Sequence, residues 1–232
     1  MIDLRCGDCL EVMKDIPDKS IDLIVTDPPY QIETSGAGIY KQEDKQYVKQ
    51  LNGMKDGFSE EVLNELCRVM KKINIYIWCS QKQILPLLEY FVKQKKCNWN
   101  LFTWHKTNPV PACGNKYLTD TEFCLFFREK GVKVGGNFAS KFTYKVTPLN
   151  QKDKKLYGHP TIKPLDIIEN FIINSSNEGD LVLDTFLGSG TTGVACKKLN
   201  RNFIGIEIEN KYIEIAKERI ENCNEKRIVN SK

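Results

Sequence analysis

Short apolar runs alternate with amphipathic stretches along most of the chain. The run at residues 21–26 shows no two-residue alternation, which is typical of a parallel strand covered on both faces. Predicted strands lie at residues 2–5, 21–26, 73–79, 99–106, 121–129, 180–186 and 202–209. Predicted helices lie at residues 8–15, 59–72, 81–95, 164–176 and 211–223, and residues 188–199 are predicted as a glycine turn that leads into a further helix. This alternation predicts an α/β fold with a doubly wound, mostly parallel sheet.

Two segments interrupt the alternation. Residues 31–57 are polar and contain scattered glycines without a persistent period, so we predict a loop that is either mobile and functional or disordered. Residues 131–158 are weakly patterned and rich in lysine. The total of 232 residues suits one α/β domain, or one such domain with an insertion.

Composition narrows the class of protein. Apolar residues make up 41% of the chain, which is enough for a sizeable core. The chain contains no run of eighteen apolar residues, so we predict no membrane span. The first residues lack the basic start and apolar stretch of a signal peptide. Nine cysteines without an export signal favour reduced thiols and a cytoplasmic protein. Cys6 and Cys9 have metal-ligand spacing, but no second pair exists and we predict no metal.

Charge is distributed unevenly along the chain. The net charge is +4, yet residues 131–163 alone carry +6, because they contain seven lysines and a single acid, Asp153. A basic segment on a slightly acidic body predicts a surface for a polyanion, with an ordinary solvated loop as the alternative. The predicted phosphate-binding residues are Lys141, Lys145, Lys152, Lys154, Lys155 and Lys163.

The segment DPPY at residues 27–30 follows the second predicted strand directly. Two adjacent prolines cannot continue a sheet ladder, and they keep the preceding residue out of the helical region. The segment is therefore stiff and lies at the carboxyl edge of a strand, where open α/β sheets bind ligands.

A glycine turn follows the predicted strand at residues 180–186. The turn begins G-S-G-T-T-G at Gly188, and Glu207 ends the next strand about twenty residues later. Glycines let a backbone approach a ligand closely, and an acid at the second strand end can bind ribose hydroxyls. Taken alone, this turn leaves open a nicotinamide cofactor.

The DPPY segment together with D-x-F-x-G-S-G-T-T resembles the DNA amino-methyltransferases that use S-adenosylmethionine. The order, with the catalytic segment first and the cofactor turn last, is similar to the β-class of adenine-N6 and cytosine-N4 enzymes. The segment HPTIKP at residues 159–164 is similar to that family's HPT-x-KP, and Gly7-Asp8, Trp104-x-Lys106 and Asn108-Pro109 match further family positions. The resemblance covers residues 1–30, 59–130 and 159–222.

The resemblance implies a Rossmann-like methyltransferase fold with circularly permuted motif order. It implies that the cofactor strands lie beside the catalytic strand and that the first strand lies near the last helix. Residues 1–130 would form the catalytic half, with a mobile loop at 31–57. Residues 131–158 would form a small inserted DNA-recognition region, and residues 159–232 the cofactor-binding half.

The resemblance also implies the residues of the active site. Asp27 and the Pro28 carbonyl would accept the two hydrogens of an exocyclic amine, Pro29 would stiffen the segment, and Tyr30 would stack on the base. The implied cofactor-binding residues are Asp8, Asp184, Phe186, Gly188, Ser189, Gly190, Thr191, Thr192 and Glu207. Of these, Asp184 would hold the methionine end, Glu207 the ribose and Asp8 the adenine amine. For Asp8 and the two threonines, helix capping is the alternative role.

We therefore predict an adenine-N6 DNA methyltransferase with S-adenosylmethionine as cofactor and DNA as partner. The aspartate before the prolines is more common in adenine enzymes, and cytosine-N4 methylation is the first alternative. Methylation of RNA or of a protein glutamine, a non-catalytic DNA-binding module and a nicotinamide oxidoreductase are further alternatives. The sequence leaves open the recognition site, a homodimer and a cognate restriction nuclease.

Overall fold

Eight strands of the described chain lie side by side in one sheet. The computed structural model of the protein describes residues 1–28, 58–109, 115, 117–149 and 162–223. The strands are β1 (Ile2–Cys6), β2 (Leu23–Thr26), β3 (Asn74–Cys79), β4 (Asn98–Lys106), β5 (Thr121–Arg128), β6 (Tyr144–Thr147), β7 (Leu181–Asp184) and β8 (Asn202–Glu207). Their spatial order is β1-β8-β7-β2-β3-β5-β4-β6.

The sheet is mostly parallel, as the sequence predicts. Only β5 runs antiparallel to its described neighbours, β3 and β4. β1 pairs with β8, so the first strand lies in the half of the sheet formed by the end of the chain. β2 lies between β7 and β3, which confirms that the strand of the DPPY segment adjoins the strand of the glycine turn. This is a topological switch point, where such sheets bind ligands.

Helices cover both faces of the sheet. The helices are α1 (Cys9–Met13), α2 (Glu60–Val69), α3 (Gln81–Leu88), α4 (Leu165–Ser175), α5 (Thr191–Lys198) and α6 (Asn210–Glu221). Alternate strand residues face opposite layers: Ile24 packs with α1, α2 and α3, and its neighbour Val25 packs with α4, α5 and α6. No helix within the described ranges is long and apolar enough to span a membrane.

The predicted elements agree with the structure except in two places. The predicted helix at 81–95 changes after Leu88 into a π-helix, Glu89–Gln94, where the Lys95 amide donates to the Tyr90 carbonyl at 3.0 Å. Strand β6 was not predicted, because it is short and lies in the weakly patterned segment 131–158. It pairs with β4 at the edge of the described sheet. The predicted loop at 31–57 lies outside the described residues.

Candidate active site

Four acidic side chains lie at the carboxyl ends of four neighbouring strands. Asp8 follows β1, Glu207 ends β8, Asp184 ends β7 and Asp27 follows β2. These strands are adjacent and parallel, so their carboxyl ends meet at one edge of the sheet. The structure thus gathers at one edge the four acids to which the sequence assigns chemistry.

Asp184 is buried at the end of β7. One carboxylate oxygen accepts from the Phe186 amide at 3.1 Å, and the other accepts from the Thr192 hydroxyl at 2.7 Å. Burial raises the pKa of Asp184 to about 7, the two hydrogen bonds oppose that rise, and the negative charges of Asp27 and Glu207 add to it. A cation at this edge would restore the ionised form.

Glu207 is held by the backbone around the glycine turn. The Gly188 amide donates to one carboxylate oxygen at 2.9 Å, and the Glu209 amide donates to the other at 3.0 Å. Burial raises the pKa of Glu207, against these hydrogen bonds. Gly188 has a φ of +50°, a left-handed conformation that glycine adopts without steric cost. The turn and the acid of the next strand therefore form one hydrogen-bonded unit.

The second and third glycines of G-S-G-T-T-G serve the packing of helices. Gly190 has a φ of +82° and precedes α5, and a Cβ there would lie 2.8 Å from the Cβ of Ala216 in α6. A Cβ on Gly193 would lie 2.4 Å from Ile220 Cδ1. Both positions let α5 approach α6 closely, so the dinucleotide-like spacing of the third glycine has a structural cause in this chain.

A buried arginine holds the outer side of the turn. Arg219 of α6 donates to the Ser189 hydroxyl at 2.9 Å, to the Ser189 carbonyl at 3.1 Å and to the Thr191 hydroxyl at 3.0 Å. Thr192 instead donates to Asp184. The two threonines therefore have different roles: Thr191 ties the turn to α6, and Thr192 ties α5 to the acid of β7.

Asp8 and Phe186 follow the strand ends of β1 and β7. Asp8 caps α1, because its carboxylate accepts from the amides of Leu10 at 2.9 Å and Glu11 at 3.3 Å. The alternative role of Asp8 as a helix cap is therefore present in the structure. The Phe186 ring lies 5.8 Å from the Phe58 ring, and the two rings form an aromatic wall next to Asp184.

Asp27 adjoins the cofactor half through the strand ends. The Thr26 and Thr185 hydroxyls are 2.9 Å apart, and both are buried, so they fasten the end of β2 to the end of β7. Asp27 itself forms an ion pair with Lys163, and the next residue, Pro28, is buried. The other two predicted catalytic residues, Pro29 and Tyr30, lie outside the described residues.

Further charged groups continue from this ion pair. Glu122 of β5 lies 3.2 Å from the Lys163 ammonium, and its other oxygen lies 2.8 Å from the Lys106 ammonium. Burial alone would raise the pKa of Glu122, but Lys163 and Lys106 outweigh it and lower that pKa. Burial likewise opposes the charge of Lys163, but Asp27 and Glu122 raise its pKa. Glu122 and Lys163 are therefore both charged at neutral pH.

The placement of Lys163 does not fit the predicted phosphate contact. Its side chain is 5% exposed, and its ammonium faces two carboxylates instead of the solvent. The sequence analysis assigns no role to Glu122, so it misses this part of the site. The available signals were the family-like segment that contains Lys163 and an acid within the apolar strand β5.

The other predicted lysines fall into two groups. Lys141 is exposed at the end of a short 3-10 helix, Ala139–Lys141, and Lys145 of β6 is half-buried and pairs with Asp166 of α4 at 2.5 Å. Lys152, Lys154 and Lys155 lie outside the described residues.

Cys6 is exposed and Cys9 buried, and within the described ranges no group of three His, Cys, Asp or Glu side chains could hold a metal ion.

Comparison with known proteins gives three kinds of match. The model of a family described as DNA methylase matches residues 21–218. The type II methyltransferase M.HinfI of Haemophilus influenzae is 32% identical, over 92% of this chain and 67% of its own length. The type II methyltransferase M2.MboI of Moraxella bovis is 30% identical, over 92% of this chain and 85% of its own.

Solved structures match along nearly the whole chain. The crystal structure of the M1.HpyAVI–SAM complex has a TM-score of 0.68 and 29% identity, over 94% of this chain and all of its own. The cytosine-N4-specific PvuII DNA methyltransferase also has a TM-score of 0.68 but only 19% identity, over 100% of this chain and 93% of its own. The second likeness concerns the fold alone.

Proposed function

The chain belongs to the DNA methylase family of N6 and N4 amino-methyltransferases, and from that premise we propose that it methylates the N6 amine of adenine in DNA. The methyl donor in this proposal is S-adenosylmethionine. One observation carries the proposal: the Asp27 carboxylate lies at the switch point of the sheet, on the strand next to the one that ends at Asp184. An acceptor for an amine and a site for a cationic donor are thus neighbours.

The residues at the strand ends fit S-adenosylmethionine. The donor is a cation with an amine, a ribose and an adenine, and the edge offers the carboxylates of Asp184, Glu207 and Asp8. The pKa of Asp184, raised to about 7 by burial, would fall beside a positive charge. Phe186 would supply an apolar wall for the adenine. The M1.HpyAVI structure, 29% identical to this chain, is titled as a complex with this cofactor.

Asp27 and Pro28 would act on the target amine. The lone pair of an exocyclic amine is delocalised into its ring, and acceptors aimed at its hydrogens localise that lone pair. The Asp27 carboxylate would accept one hydrogen and the Pro28 carbonyl the other, both on a stiff backbone. The bound donor would supply a methyl group on a sulfonium. Asp27 is also placed to receive the proton that the methylated nitrogen loses.

The target base must leave the DNA helix to reach this edge. An amine inside a duplex is inaccessible, so the base is flipped out, and Tyr30 would stack on it. Exposed lysines of residues 131–158 would contact phosphates and hold the duplex during this step. Of the lysines predicted to contact phosphate, Lys141 and Lys145 lie in this segment within the described residues, and Lys145 would exchange its Asp166 partner for phosphate.

Adenine is favoured over cytosine by the aspartate that precedes the two prolines. The relatives are described as type II methyltransferases, which is consistent with DNA as the substrate for either base. Cytosine-N4 methylation is the second candidate, because the PvuII enzyme with that specificity shares the fold.

Product analysis tests the proposal directly. Purified protein is incubated with DNA and S-adenosylmethionine that carries a labelled methyl group, and the digested nucleosides are separated. The proposal expects label in N6-methyl-2′-deoxyadenosine, and label in N4-methyl-2′-deoxycytidine would instead support the second candidate. In parallel reactions with RNA or protein as the acceptor, label in either of them, with none in DNA, would contradict both candidates. In a parallel melting experiment, S-adenosylmethionine but not NAD should raise the midpoint.

A further inference from the structure

Asp27 begins a row of four charged side chains with alternating sign. Lys163 pairs with Asp27 and with Glu122, and Glu122 pairs in turn with Lys106. The Trp78 ring covers the row from one side, with its centroid 5.0 Å from the Lys163 ammonium. Asp27 follows β2, Glu122 lies in β5 and Lys106 ends β4, so the row crosses half of the sheet.

The balance of charges in the row indicates that Lys163 serves as the counter-ion of Asp27. Lys106 alone neutralises Glu122, with a nitrogen–oxygen distance of 2.8 Å. A second buried ammonium is needed only because Asp27 adds a second carboxylate. An isolated ammonium with 5% exposure would be strongly unfavourable, so the geometry must keep both of its partners close. Lys163 immediately precedes Pro164, the N-cap of α4, and this fixes its backbone next to the sheet.

We propose that Lys163 is a positioning residue for Asp27, whose carboxylate it orients and keeps ionised for the target amine. Glu122 anchors Lys163 from the opposite side, so the ammonium cannot turn away toward solvent. This inference rests on the proposed function, because it presumes that Asp27 receives an amine. It replaces the predicted phosphate contact of Lys163 by a role inside the active site.

The ionisation of Asp27 matters because an ionised carboxylate only accepts hydrogen bonds, whereas a protonated one also carries a donor. Other acids near Asp27 would favour its protonation, and Lys163 is a cation in direct contact that opposes them. Within the described residues, Asp27 faces Lys163, Asp184, Cys79 and Cys124, and Glu122 lies on the far side of Lys163. Burial raises the pKa of both thiols, so the cysteines are neutral and supply no countercharge.

A charge-removing variant tests the role. Lys163→Met keeps much of the side-chain length, and we expect a kcat lower by roughly 10²-fold with little change in the KM for DNA. The acid limb of the kcat profile should move up by about one pH unit or more, because the carboxylate has lost its cation. Lys163→Arg keeps the charge and should restore the position of that limb. Glu122→Gln removes a negative charge and should move the limb in the opposite direction.

Stability provides a readout that is independent of activity. Lys163→Met leaves the half-buried Asp27 carboxylate without its cation, which should lower the melting midpoint. The double variant Asp27→Asn/Lys163→Met removes the uncompensated charge and should melt above Lys163→Met alone. Lys198→Met is the matched control, because it breaks the Lys198–Glu169 pair between α5 and α4, outside the site. It should leave kcat and the acid limb unchanged.

The outcomes separate this inference from the proposed function. Wild-type protein that transfers no methyl group to DNA would contradict the proposed function itself. Active wild type with an equally active Lys163→Met variant would overturn only the role of Lys163. If Lys163→Met lowers kcat but the acid limb stays in place in Lys163→Met, Lys163→Arg and Glu122→Gln, then Lys163 has only a structural role. That result would also overturn the proposal.

Discussion

At the scale of single residues, the buried carboxylate of Asp184 should make the proposed cofactor site sensitive to pH. Its pKa is raised from an ordinary 3.8 to about 7, chiefly by burial. Because the folded chain binds this proton more tightly than the unfolded chain, the contribution to stability is fully present below pH 3.8. It is lost as the pH rises through about 7. A bound cation needs the opposite, ionised form.

We therefore expect S-adenosylmethionine to bind more weakly below about pH 7. The Kd measured by calorimetry should rise by up to about tenfold for each pH unit below that value. Asp184→Asn should bind weakly across the range with a flatter profile, because it has no proton to release. A wild-type Kd that is constant from about pH 5.5 to about pH 8 would contradict this role of Asp184.

Asp27 gives the second prediction at this scale. We expect Asp27→Asn to lower the rate of methyl transfer by on the order of 10² or more, because one preorganised acceptor is lost. Affinity for S-adenosylmethionine should stay nearly unchanged, since in the proposed function Asp27 contacts the target amine and not the cofactor. Asparagine is the better substitution than alanine, because it can still accept from the buried Lys163 ammonium. Full activity of the variant in a filter-binding methylation assay would refute the role.

At the scale of elements, most of the sheet could be predicted, because buried parallel strands have apolar runs of characteristic length. Strand β6 could not, since its four residues are stabilised by their register with β4 and lack a pattern of their own. The row of charges behind Asp27 was equally hidden. Lys163 is 136 positions away from Asp27, and only the folded sheet brings them together.

The turn before α5 combines two kinds of glycine, and this yields an element-scale prediction. Gly188 lies in the turn that is bonded to Glu207, whereas Gly193 lies against Ile220 of α6. Gly188→Val should abolish S-adenosylmethionine binding, because a branched side chain resists positive φ and fills the space of the ligand. Gly193→Ala should instead lower the free energy of unfolding by about 1–3 kcal/mol and leave the affinity almost unchanged.

Calorimetry and chemical denaturation on both variants distinguish these roles. Gly179→Ala provides the reference for strain without crowding, since its φ is +82° and nothing lies within 4 Å of the added Cβ. If a folded Gly188→Val variant binds with wild-type affinity, the turn is only structural. If Gly193→Ala is as stable as the wild type, the close approach of α5 and α6 does not require a glycine at this position.

At the scale of the whole molecule, the uneven charge should govern binding to DNA. Residues 131–163 carry +6 in a chain of +4, although the buried, paired Lys163 contributes no exposed charge. Phosphate contacts release counterions, so affinity should fall steeply with salt. For the triple variant Lys152/Lys154/Lys155→Ala, the slope of log affinity against log salt should shrink by about 1 for each lysine. Sequence preference should survive, because phosphates carry no base identity.

A matched triple variant decides whether this effect is local or follows total charge. Lys72, Lys93 and Lys217 are exposed and lie outside the basic segment. Their replacement by alanine changes the net charge by the same amount, yet it should leave the slope near the wild-type value, because only lysines that contact phosphate release counterions. Equal slopes for the wild type and both triple variants would mean that the lysines at 152, 154 and 155 do not contact phosphate. Equal losses in both would mean that long-range charge attracts the DNA without a defined contact surface.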